Sequence, residues 1–160
     1  MSKLGDVLVY FCDKYPHKSE LSKARLTKMV YLADWRSSID HGVQITDLRW
    51  VFNHYGPYVV EVISEAERNP RLETADTQNF FGSSKTIVRR KVGTAPQTTL
   101  TDDERAVLNT VIRATEKLNY QDFIQLVYST YPVVTQKRYQ ELDLPALAEI
   151  YNRGKASLIP

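Results

Sequence analysis

Apolar residues return every three or four positions along most of the chain, and in one passage they give way to an alternating pattern. Leu4, Val7, Leu8, Phe11 and Tyr15 share one helical face behind Ser2 as an N-cap, and Pro16 breaks the run. Ser19 or Ser22 caps a second helix with the stripe Leu26, Met29, Val30 and Ala33. Leu32 and Trp35 widen that stripe toward a mostly buried element, which stops at Gly42. Residues 43–55 are rich in β-branched and aromatic side chains but too broken for one assignment; they predict an extended passage ending in a turn at Gly56-Pro57. Val59, Val62, Ile63 and Ala66 recover the helical period, with Pro57 in the first turn and Asn69-Pro70 as the stop.

From Glu73 to Val92 two runs rich in Thr, Phe, Ile and Val flank Gly82-Ser83, the turn chemistry of an antiparallel hairpin. After the polar connector 93–99, Thr101-Asp-Asp-Glu104 is a capping box ahead of Leu108, Val111, Ile112 and Leu118. Asn119 caps a helix carrying Tyr120, Phe123, Ile124, Val127 and Tyr131 that ends at Pro132, and Asp143 caps a last one carrying Leu144, Leu147, Ala148 and Tyr151. The expected fold is mainly α: about six helices in a single compact domain over residues 1–160, with one inserted antiparallel β-hairpin at about 73–92.

Composition narrows the class. The 160 residues, 42% hydrophobic and 25% charged with 6 Gly and 7 Pro, match an ordinary globular domain rather than a disordered or collagen-like chain. The lone Cys12 closes no intrachain disulfide and builds no thiolate metal site, which points to a reducing compartment. Without a signal-like start or a run of ~20 apolar residues, the expected location is the cytoplasm, with no membrane partner. Net charge is +2, with 14 basic and 11 acidic residues up to Leu100 and 7 against 8 after it, so bulk charge gives no argument for nucleic acid.

Catalytic signatures are absent: the chain has no phosphate-binding loop, dinucleotide fingerprint, nucleophile elbow or H-E-x-x-H pair. Cys12 could serve as a nucleophile with His17, His41 or His54, but it lies beside the apolar face of the first helix, where a buried thiol is the ordinary outcome. Asp34, His41, Asp47 and His54 form two Asp-x6-His pairs of metal-ligating type, although seven residues across Gly42 is not a one-face spacing. The basic cluster Lys85, Arg89, Arg90 and Lys91, preceded by Phe80 and Phe81, reads either as a nucleic-acid-binding ribbon or as a solvated hairpin face. Alternation places Lys85, Arg89 and Lys91 on one side and Arg90 on the other with Val88 and Val92. Trp50, Phe52, Tyr55 and Tyr58 concentrate aromatic side chains around Gly56-Pro57, near Arg49 and Arg36, and suit either a small core or a protein interface.

The run Lys28-Met-Val-Tyr-Leu-Ala-Asp34, then Gly42, Ile45-Thr46, Trp50 and Tyr55-Gly-Pro-Tyr-Val59, resembles the signature of the Panacea domain, the SocA-like antitoxin family. The resemblance is clear from Ser22 to Glu67 and weaker through the hairpin to Leu100–Glu104. Ser129-Thr-Tyr-Pro132 and Tyr139 stand where such proteins often show a Thr-His pair and a Trp. The resemblance implies a non-catalytic protein, without a cofactor, that neutralises a co-encoded toxin by stoichiometric contact. It further implies an adaptor role toward an ATP-dependent protease. Arg49, Trp50, His54, Tyr55 and Tyr58 are the candidate partner-binding residues, and Tyr31, Asp34, Gly42, Thr46, Gly56 and Pro57 the structural motif. Lys85, Arg89 and Lys91 carry the nucleic-acid alternative. Independently of the family, Asp34 can accept hydrogen bonds from the Thr46 hydroxyl or nearby backbone N–H groups and so hold the turn after Gly42.

Overall fold

The second apolar stripe becomes the axis of the molecule. The structure, a computed structural model, describes residues 3–78, 82, 84–96 and 98–158, and contains seven helices and five short strands among them. Helix α2 (Lys23–His41) begins at Ser22, whose hydroxyl accepts from the Arg25 N–H at 3.1 Å, and ends at Gly42, whose φ of 76° is the left-handed conformation that closes a helix. Every side chain from Arg25 to Trp35 is buried, because α2 is enclosed on several sides rather than resting on one. Helix α1 (Leu4–Lys14) lays Val7, Leu8, Phe11 and the adjoining Tyr15 into the same core. Its Ser2 cap lies outside the described residues.

The remaining helices are α3 (Glu61–Arg68), α4 (Asp102–Thr115), α5 (Tyr120–Tyr128), α6 (Tyr131–Thr135) and α7 (Leu144–Leu158). Their starts follow local chemistry. At α4, Thr101 and Glu104 exchange hydrogen bonds of 2.9 and 3.1 Å in the expected capping box. Asn119 accepts from the Asp122 N–H at 2.8 Å ahead of α5, and Asp143 from the Ala146 N–H at 3.2 Å ahead of α7. Pro132 does not end a helix as expected but sits in the first turn of α6, where its missing N–H has no helical acceptor to lose.

The strands depart further from expectation. The anticipated hairpin exists as β3 (Leu72–Gln78) and β4 (Ser84–Arg90), although Phe80, Phe81 and Ser83 lie outside the described residues. A second antiparallel sheet was not anticipated. It has the order β2-β1-β5, built from β1 (Trp50–Asn53), β2 (Gly56–Tyr58) and β5 (Glu141–Leu142). Asn53 pairs with Gly56 across a two-residue turn, His54-Tyr55, with Gly56 at φ 103°. Pro57 therefore lies in an edge strand opposite Phe52 and not in the first turn of α3, which starts at Glu61; an edge tolerates the absent N–H as well as a helix start does.

Candidate functional site

The turn after α2 is organised by one carboxylate. Asp34 is fully buried, and its Oδ1 accepts from the Ile45 and Thr46 N–H groups, both at 3.0 Å. Its Oδ2 accepts from the Thr46 hydroxyl at 2.5 Å, from Trp50 Nε1 at 2.9 Å and, more distantly, from Gln44 Nε2 at 3.5 Å. Burial pushes the carboxyl up to about 6, against the bonds from Thr46, Trp50 and Ile45 that favour its charged form. Such a saturated acceptor is a latch: it fixes the turn from Gly42 to Thr46 and orients the indole at the head of β1.

Next to the latch, two groups of rings tie α2 to the C-terminal part of the chain. Trp50 meets Tyr31 edge-on at 5.6 Å, and the Tyr31 hydroxyl lies 2.8 Å from Thr130 Oγ1. Tyr131 stacks on Trp35, which also meets Tyr151 of α7 edge-on. The segment 129–132, whose place in the sequence pattern was unmatched, thus packs directly on the motif helix.

A groove of about 530 Å³ opens between the β1–β2 hairpin, α2, α3 and α5. Tyr55 and Tyr58 from the β1–β2 hairpin and Tyr120, Ile124 and Tyr128 from α5 face each other across it, with Ile63 of α3 at one end and Ala24, Thr27 and Lys28 of α2 among its lining. Tyr55, at the hairpin tip, is 78% exposed and packs edge-on against His54; Tyr120 is 48% exposed. Gly56 lies against the Tyr128 ring, where an added Cβ would come within 3.5 Å in an already left-handed backbone. Lys28 is only 5% exposed and, among the described residues, its side chain has neither a hydrogen bond nor an ion pair. Burial draws its ammonium below the ordinary lysine range, and no neighbouring carboxylate offsets this.

The expected partner residues divide here. Tyr55 and Tyr58 line the groove, and His54 and Arg49 are exposed, Arg49 lying 3.3 Å from Glu141 of β5. Trp50 is 0% exposed and bonded to Asp34, so its expected place among the surface anchors is corrected: it belongs to the latch. Phe52 is buried as well, with Arg138 over its ring. The groove residues outside the expected partner-binding set include Lys28, expected only as part of the family-like run, and the second face of α5. Tyr120, Ile124 and Tyr128 repeat at i, i+4, i+8, a spacing readable as a stripe apart from the core positions Phe123 and Val127.

The other candidates are spread apart. Among the described residues no three His, Cys, Asp or Glu side chains come together as metal ligands, so Asp34, His41, Asp47 and His54 form no centre. Cys12 is buried, 3.7 Å from the Val88 carbonyl, and burial pushes its thiol up to about 12, which removes the thiolate a nucleophile needs. On the β3–β4 ribbon Lys85 and Lys91 are exposed, but Arg89 reaches Glu73 at 3.2 Å and Arg90 reaches Asp13 at 3.4 Å. The expected simple alternation is also corrected. Ile87 is buried despite sharing a side with Lys85 and Arg89, because it bridges to Ser22 while Val88 donates to the Leu21 carbonyl, and Val92 lies beyond the strand, exposed.

No helix among the described residues is long and apolar enough to cross a membrane. No curated protein and no solved structure matches the chain. A family model described as antitoxin SocA-like, Panacea domain, matches residues 26–132, more than half of the chain. The matched stretch runs from the first turns of α2 through the latch, the hairpin and the ribbon to α5 and Pro132, and therefore includes every element that walls the groove. On that match the chain belongs to the SocA-like, Panacea domain antitoxin family.

Proposed function

We propose that this chain is a non-catalytic antitoxin that binds a toxin protein stoichiometrically in the cytoplasm, and that the contact surface is the tyrosine groove with the His54-Tyr55 tip. The observation that carries this reading is the groove itself, an apolar concavity with half-exposed aromatic rims inside the family-matched segment. Tyrosines of this kind offer a large rigid area and a polar tip at small entropic cost, the composition of interface anchors. The alternative of nucleic-acid binding through Lys85, Arg89 and Lys91 is disfavoured by the Glu73 carboxylate on Arg89, which leaves the ribbon few free cations.

The test is co-expression with a candidate toxin, defined as a neighbouring-frame product that arrests growth when expressed alone. Tyr58→Ala with Tyr120→Ala is expected to abolish both growth rescue and co-purification while leaving the thermal midpoint of the free chain within a few degrees. Full rescue by the double variant would overturn the assignment of the surface. Delivery to an ATP-dependent protease is read in the same cells: toxin levels that fall only when the chain is present support an adaptor role, and constant levels limit the action to occlusion.

A further inference from the structure

Within the groove, Lys28 is a cation without an anion. The other charged groups nearby are already engaged: Lys23, on the same wall, holds Glu67 at 3.0 Å, and Arg25, one turn before Lys28, donates to Tyr15 Oη and to the Thr115 and Leu118 carbonyls at 2.8 to 3.0 Å. Arg25 also lies over the Phe123 ring at 4.5 Å. Lys28 has none of these, although it is 5% exposed and lines an opening walled by Tyr55, Tyr58, Tyr120 and Tyr128. The Lys28 side chain is buried, but its Nζ is not among the closed-off unpaired atoms, as Arg25 Nε is, and so still meets water in the free chain. A partner that covers the groove strips that water, and one that brings a carboxylate replaces it with a strong charge-assisted bond.

Resting on the groove as the contact surface proposed above, we infer that Lys28 is its specificity-determining residue and receives an Asp or Glu side chain of the partner protein. A neighbouring apolar side chain of that partner lies between the tyrosines. The charge balance is one to one. A nucleic acid would ask for several cations along a backbone, and here Lys23 is committed to Glu67. An apolar segment alone would leave the ammonium desolvated and still unpaired, which is the costlier complex.

The experiment uses the full chain and synthetic peptides in which a Phe or Leu is followed by Asp, each matched with its Asn counterpart. The Asp peptides are expected to bind at least about tenfold tighter than the Asn peptides, corresponding to about 1.4 kcal/mol, with shifts in the resonances of the groove tyrosines. Lys28→Met should abolish the Asp preference while its thermal midpoint equals or exceeds that of the parent. Equal binding of Asp and Asn peptides, binding of neither, or a preference that survives in Lys28→Met would overturn the inference. Co-expression separates it from the reading beneath it. If Tyr58→Ala with Tyr120→Ala loses neutralisation and Lys28→Met keeps it, the groove stands and the role of Lys28 falls. If both variants keep it, the groove itself falls.

Discussion

Asp34 and Lys28 are charged side chains on the same helix, each almost closed off from water, and the fold treats them in opposite ways. Around Asp34 the chain assembles the Ile45 and Thr46 N–H groups, the Thr46 hydroxyl and the Trp50 indole. Around Lys28 it supplies no acceptor, and the groove that Lys28 lines is bordered by tyrosines. Burial of a charge is therefore not one phenomenon here. At Asp34 hydrogen bonds from the chain offset much of the cost of burying the charge, whereas at Lys28 the chain supplies none and the ammonium depends on water at the groove. Arg25 lies between these extremes, with three hydrogen bonds to its guanidinium and a buried Nε that has no partner.

Four measurements sharpen this contrast. Asp34→Ala has the largest expected effect, because it orphans two buried N–H groups and the indole N–H together. Losing an acceptor costs about 1–3 kcal/mol per buried donor, so urea unfolding should lose about 4 kcal/mol or fail to find a folded baseline; a loss below about 1 kcal/mol would show that the turn finds other acceptors. Arg25→Met follows, at about 2 kcal/mol, since the carbonyls of Thr115, at the end of α4, and Leu118, three residues beyond it, lose their clamp while packing on Phe123 is partly kept. Lys28→Met should reverse the sign and raise stability by about 1 kcal/mol; destabilisation by that amount would mean the ammonium has a partner in the free chain.

The smallest effect is in the pH dependence. The Asp34 carboxyl is pushed from an ordinary 3.8 up to about 6 in the folded chain. Between those values the folded state holds a proton that the unfolded state has released, so stability from this residue rises as the pH falls through that window. Asp34→Asn should accordingly cost more near the lower end of the window than at neutrality, as read by chemical unfolding at the two pH values. A cost that shrinks on acidification would show that the carboxyl stays charged well below 6. Asp6, drawn below the carboxylate range despite its partial burial by hydrogen bonds from Thr99 and Arg71, acts in the other direction, and its contribution is lost in acid.

Much of the latch could be read from sequence because its parts are close together. Asp34, Gly42 and Thr46 fall within 13 positions, and a carboxylate near a helix end has few acceptor-seeking groups to meet other than those of the following turn. The groove was half legible. Tyr55 and Tyr58 stood out as an aromatic cluster, but the same composition also served Trp50 and Phe52, which went inward. Alternation along β1 could have separated them only if β1 had been recognised as a strand. It was not, since its near partner β2 is three residues long and carries Pro57, while its other partner β5 is two residues long and lies about ninety positions away, where no local signal marks it.

By itself, then, the sequence determined the helices whose caps and periods are local: Ser19 or Ser22, resolved by the structure as Ser22, and Gly42 bounding α2, the Thr101–Glu104 box opening α4, and Asn119 and Asp143 opening α5 and α7. These features depend on residues within a turn or two of each other, so their energetics are written in short stretches of chain. The tertiary structure alone decided that β5 completes a sheet with β1, that Pro57 lies in an edge strand, that Trp50 is core and Tyr55 surface, and that Lys28 lines a groove with four tyrosines and pairs with no carboxylate. Each of these depends on which distant segment arrives beside a residue, and pairing and desolvation are properties of that meeting rather than of either stretch.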